Sequence, residues 1–80
     1  MASTKAFVLI ETKVGKTKGI VSSLKDVDGI SSVDVVTGPY DIIAIVEAPD
    51  LSAVGDIVTG SVHTIEGIDR TVTCLAVGSN

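Results

Sequence analysis

Five apolar residues in a row, Ile42-Ile43-Ala44-Ile45-Val46, constrain this chain more than any other feature. An unbroken apolar run of strand length, bounded by turn residues, predicts a strand over Asp41–Ala48 at the centre of a sheet. Just before it stands Gly38-Pro39-Tyr40-Asp41, a cluster of the residue types that turns demand. Ahead of that turn, Ile30–Thr37 reads as another strand, with Val33 and Val35 on one face. Two strands joined by so tight a link predict a hairpin.

The same elements recur on either side of the hairpin. Lys5–Val14 alternates with period two, and both of its faces are apolar at the start. Gly15 punctuates it. Lys16–Val27 follows as a short helix, with Ile20, Leu24 and Val27 at i, i+4 and i+7. Asp28-Gly29 closes that helix, glycine being the usual residue past a helix end. After the hairpin, Pro49-Asp50 opens a second helix that Asp50 or Ser52 can cap and that runs to about Val62. Leu51, Val54 and Val58 share a face of it, with Ile57 beside them. Glu66-Gly67 is a turn, and Ile68–Val77 is the last strand, with Thr71, Thr73 and Leu75 opposite Val72, Cys74 and Ala76. The tail Gly78-Ser79-Asn80 is expected to fray.

Strand, helix, strand, then strand, helix, strand is a pseudo-repeat, and Gly67-Ile68 echoes Gly29-Ile30. Right-handed crossovers turn that order into an α+β, ferredoxin-like βαββαβ domain over residues 1–80: a four-stranded antiparallel sheet with two helices on one face. The opposite face is left bare, and it is apolar on the first and third strands. With 45% hydrophobic residues in 80, the chain holds more aliphatic material than one small core needs. A homodimer, face to face or edge to edge, is the expected use of the surplus.

Charge and chemistry narrow the function. The net charge is −4 and the six basic residues are scattered from Lys5 to Arg70, so direct nucleic-acid binding is not expected. One cysteine, Cys74, excludes an intramolecular disulfide, and its apolar neighbours predict a buried, inert thiol in a reduced, cytoplasmic setting. No signal peptide or membrane-length apolar run is visible. Gly15-Lys16-Thr17 has the context of a phosphate-binding loop. That motif needs a glycine five residues earlier, where Ile10 stands, so it reads as a plain strand-to-helix turn. His63, the only histidine, lacks the companions a metal site requires; it reads as a surface cap, and neither metal nor cofactor is expected. A Cys74–His63 dyad is disfavoured by the apolar surroundings of the thiol, so no catalytic residue is assigned. Gly38-Pro39-Tyr40-Asp41 has two readings. It is an ordinary turn, or a ligand loop whose amides near Gly38 take a carboxylate while Asp41 accepts from an ammonium group. Thr71 and Thr73 add two hydroxyls on one side of the last strand, where threonine is also a normal strand residue.

Three stretches resemble one family. Val36-Thr37-Gly38-Pro39-Tyr40-Asp41-Ile42-Ile43 resembles the Gly-x-Tyr/Phe-Asp-Tyr segment of leucine-responsive/AsnC (Lrp/AsnC) regulators. Pro49-Asp50-Leu51-Ser52-Ala53 is similar to the helix entry that follows it there, and Gly67-Ile68-Asp69-Arg70-Thr71-Val72-Thr73 to the last-strand stretch Gly-Val-x-x-x-Thr-x-Thr. Together they cover Gly29 to about Val77, and Pro39 departs from the commoner polar residue in its slot. The resemblance implies an effector-binding domain that regulates transcription of amino-acid metabolism, dimerises through its sheets and assembles into rings, often octamers. Carried over by position, it implies an amino-acid effector held by Gly38, Tyr40, Asp41, Thr71 and Thr73. Only four residues precede Lys5, so the comparison is with stand-alone forms lacking the helix-turn-helix, which would act by mixed assembly with full-length regulators. The rival readings are a small dimeric ferredoxin-like enzyme, an ACT-type regulatory domain with ligand near Val14-Gly15, and a purely structural assembly unit.

Overall fold

A computed structural model describes residues 3–78. The elements run β1 (Thr4–Thr12), α1 (Thr17–Lys25), β2 (Ile30–Val35), β3 (Ile42–Ala48), α2 (Leu51–Ile57), a π-helical extension (Val58–Val62) and β4 (Ile68–Leu75). The sheet order is β2-β3-β1-β4, and every neighbouring pair is antiparallel. The ferredoxin-like expectation therefore holds, with the two most apolar strands in the middle.

Period two decides which residues meet the helices. Ala6, Val8 and Ile10 of β1 and Ile42, Ala44, Val46 and Ala48 of β3 are buried against Ile20 and Leu24 of α1, Val54 of α2, and Val58 and Val62 beyond it. Burying each such larger aliphatic side chain is worth about 1.5–3 kcal/mol, so this one layer carries most of the fold's stability. The alternate residues lie on the uncovered face. There Phe7 stands opposite Ile45 and Cys74, and Leu9 opposite Ile43 and Val72.

Several boundaries differ from the sequence reading. β1 stops at Thr12 rather than Val14, because Lys13 N–H turns to the Gly67 carbonyl (2.8 Å) and Lys16 N–H closes a turn on the Lys13 carbonyl (3.0 Å). α1 starts one residue later than expected and ends at Lys25, with its last turn closed on Asp26. β2 ends at Val35, where Val36 N–H donates to the Asp41 carbonyl (2.9 Å) and closes the hairpin, so β3 begins at Ile42. β4 ends at Leu75; Ser79 and Asn80 of the expected frayed tail lie outside the described residues.

Three side chains correct the sequence reading. The second helix is capped as expected, with Ala53 N–H donating to Asp50 Oδ1 (2.8 Å), but Leu51 is 59% exposed and does not join the buried face. Nor is that helix uniform to Val62: the Thr59 hydroxyl donates back to the Gly55 carbonyl (2.8 Å), and His63 N–H reaches the Val58 carbonyl five residues back (2.9 Å). Side-chain competition for backbone carbonyls of this kind loosens a helix. Finally, Cys74 is exposed, not buried. Its strand is apolar, but β4 is an edge strand and Cys74 points to the face that no helix covers.

Candidate functional site

The hairpin joining β2 to β3 is tied to the rest of the sheet by two different side chains. Asp41 N–H donates to the Ile10 carbonyl (2.9 Å), which continues the β1–β3 ladder by one residue. The Asp41 carboxylate then turns to the end of β1. Its Oδ2 accepts from Thr12 N–H (2.8 Å) and from the Thr12 hydroxyl (3.3 Å), and that hydroxyl lies 2.8 Å from the Thr17 hydroxyl at the start of α1. An ionised acceptor taking a backbone N–H at this distance forms a strong, charge-assisted bond. Asp41 thus links the hairpin, the end of β1 and the first turn of α1.

Tyr40 makes the second tie. Arg70 of β4 donates through Nη2 to the Tyr40 hydroxyl (3.3 Å), and its guanidinium carbon stands 5.9 Å from the ring centroid. The same Nη2 lies 3.5 Å from Glu11 Oε2. Arg70 is 63% exposed on its side chain, so this ion pair contributes little to stability. Its guanidinium remains open to solvent and to a partner. Gly38, with φ +143, sits at the tip with nothing within 4 Å of where a Cβ would stand.

On β4, Thr71 and Thr73 face the helix side of the sheet, opposite Ile10 and Val8. Thr71 Oγ1 is 2.9 Å from Nε2 of His63, which follows the π-helical extension. His63 is therefore more than a surface cap: it joins the end of the second helix to the edge strand. Thr73 is exposed.

The five residues that the sequence points to divide into two groups. Gly38, Tyr40 and Asp41 form the hairpin, while Thr71 and Thr73 lie across β1 from it on the edge strand. Ile10 lies between the groups, flanked by Ile42 on one side and Thr71 on the other, and the contact from β4 to the hairpin is made by Arg70 rather than by either threonine. Three participants carry no mark in the sequence reading: Thr12, Arg70 and Glu11. Arg70 immediately precedes Thr71, so strand alternation puts it on the opposite face, over the hairpin's tyrosine. Thr12 gives no signal, since its partner is 29 residues away. Among the described residues, no three His, Cys, Asp or Glu side chains are grouped to hold a metal ion.

The family described as the Lrp/AsnC ligand binding domain matches residues 5–79, nearly the whole chain. The chain belongs to the Lrp/AsnC family. An uncharacterized HTH-type transcriptional regulator of Pyrococcus furiosus is 34% identical over 76 residues, covering 91% of this chain and 51% of that protein. The chain thus spans about half the length of that curated relative. A Thermus thermophilus protein of known structure is 32% identical, covers 96% of each chain and superposes with a TM-score of 0.91. Escherichia coli AsnC shares the fold at a TM-score of 0.90 with 21% identity, over 95% of this chain and 52% of its own. A Neisseria meningitidis transcriptional regulator, solved as a complex with L-methionine, shares it at a TM-score of 0.85 with 16% identity, over 94% of this chain and 50% of its own.

Among the described residues no helix is long and apolar enough to cross a membrane.

Proposed function

We propose that this Lrp/AsnC domain is an amino-acid sensor whose effector sits against the 38–41 hairpin and β4 and changes how copies of the chain assemble. Membership of a ligand-binding family over residues 5–79 carries the reading. Gly38, Tyr40, Asp41, Thr71 and Thr73 are the proposed contacts. Asp41 Oδ2 is already committed to Thr12, so Asp41 shapes the loop and offers a ligand ammonium only its other oxygen. The open amides near Gly38 and the exposed Thr73 hydroxyl are the unclaimed groups.

Assembly is the proposed output. Phe7, Leu9, Ile43, Ile45 and Val72 line one uncovered sheet face, and a second copy covers it in a two-fold dimer. Further association into rings such as octamers, mixed assembly with full-length regulators, and an influence on transcription in the cytoplasm belong to the same proposal. It assigns the chain no catalytic role, no cofactor and no direct contact with nucleic acid.

The test is thermal melting and light scattering with and without a panel of amino acids, L-methionine first because a relative of the same fold was solved with it. The expected result is a higher melting temperature or a changed mass with one amino acid, weakened in Thr73→Val and Tyr40→Ala. If melting and mass ignore every amino acid, the sensor reading is lost and a structural assembly unit replaces it.

A further inference from the structure

The charges of this chain are segregated. Four of its six basic residues, Lys13, Lys16, Lys18 and Lys25, fall within residues 13–25, a stretch with no acid. Nine of its ten acidic residues fall between Asp26 and Asp69, a stretch with no Lys or Arg. The fold converts this into a contrast between two helices on the same side of the sheet. α1 presents the exposed Lys18, Ser22 and Lys25 at i, i+4 and i+7, with the exposed Gly19 beside them and one exposed acid, Asp26, at its C-cap. α2 and its extension present the exposed Ser52, Gly55, Asp56, Thr59 and Gly60, with Asp50 at the N-terminus and Glu66 beyond the C-terminus. The only ion pairs among the described residues, Lys13–Asp69 and Arg70–Glu11, involve none of Lys16, Lys18, Lys25 or Asp56.

We infer that the helical face is a second interface between copies of this chain, with α1 of one copy packed on α2 of the other and the reverse. α1 runs from the Thr12 end of the sheet to the Thr4 end, and α2 runs back. A two-fold axis parallel to the helices therefore lays α1 antiparallel on the partner's α2. It brings Lys25 near the partner's Asp50 and turns Lys18 toward the partner's Asp56. One patch then meets its own complement twice, as an isologous contact requires. Glycine and serine on both outer faces let the backbones approach, and opposite potentials fix the pairing and exclude the like-on-like arrangement. This contact does not depend on the sheet-face dimer. Where both operate, two different two-fold contacts link copies into assemblies larger than a dimer.

Charge reversal tests it, with mass read by analytical ultracentrifugation and folding checked by circular dichroism. Lys18→Glu with Lys25→Glu sets acid against acid, and Asp56→Lys sets base against base. Each variant alone is expected to fall to half the wild-type mass or less. An equimolar mixture of the two restores complementary contacts and raises the mass again, which a merely destabilising substitution would not do. Wild type itself should shrink at about 1 M salt, where the screening length is only about 3 Å. Ile45→Lys on the uncovered sheet face separates the two interfaces: a dimer that survives Ile45→Lys but is lost with the α1 reversal supports the helical contact even as the sheet reading fails. Three results overturn the inference: unchanged mass in both reversal variants, no recovery on mixing, or loss of binding to a short DNA duplex with no change in self-association. The last would assign α1 to a nucleic-acid partner.

Discussion

At the scale of single residues, Asp41 is the side chain whose role the structure changes most. The sequence offers it as an acceptor for a ligand ammonium, yet one of its oxygens is taken by the end of β1. Asp41→Ala strands Thr12 N–H at a half-buried position and is expected to cost about 1–3 kcal/mol in urea denaturation. Asp41→Asn keeps an acceptor oxygen and should cost clearly less; equal losses would mean that the Thr12 bond contributes little. Gly67 is a second such position. It adopts φ +101, and a Cβ there would stand 2.8 Å from Lys16 Cβ, while its carbonyl holds Lys13 N–H. Gly67→Ala is expected to destabilise by about 1 kcal/mol or more, since both conformation and space oppose it. A neutral result in thermal melting would show that the β1–α1 turn yields readily. Neither partner is near in sequence: Thr12 is 29 residues from Asp41, and Lys16 is farther still from Gly67.

At the scale of elements, the alternation of apolar residues is enough to place all four strands and both helices, and the ends are not legible in it. Strand ends depend on where the backbone finds its last partner. β1 ends because the Gly67 carbonyl takes Lys13 N–H, a contact between the two turns at one end of the sheet. The N-terminus of α2 is different, because its signal is local: Asp50 caps it through Ala53 N–H. Asp50→Ala should lower stability by about 0.5–2 kcal/mol, measured by chemical denaturation, with Asp50→Ser recovering most of the loss. The π-helical extension has no such signal. Thr59 and Gly60 read as ordinary helix residues until the Thr59 hydroxyl is seen to take the Gly55 carbonyl.

At the scale of the whole molecule, the sheet has one covered and one uncovered face, and Cys74 reports on the second. It stands opposite Phe7 on that face. If a second copy covers the sheet, a thiol reagent should react slowly with wild type and quickly with Ile45→Lys, in step with the fall in mass. Equal, fast reaction in both would place the dimer contact elsewhere. The apolar neighbours of Cys74 predict its burial, and that expectation fails for a reason of topology: an apolar strand at the edge of a half-covered sheet has one face that only another molecule can bury.

Period two in Lys5–Thr12 and Ile42–Ala48, the i, i+4 spacing of Ile20 and Leu24, and the turn residues at 38–41 determined a βαββαβ fold and its core without help. These are local regularities, and local regularities repeat often enough to be read from one chain. The tertiary structure alone decided that Asp41 bonds Thr12, that Arg70 lies over Tyr40, that His63 reaches Thr71, and that the lysines of α1 and the acids of α2 share one side of the molecule. Each of these joins residues from different elements. Their proximity depends on the order β2-β3-β1-β4 and on the register of its ladders, quantities set by the packing of the whole chain and by no stretch of it.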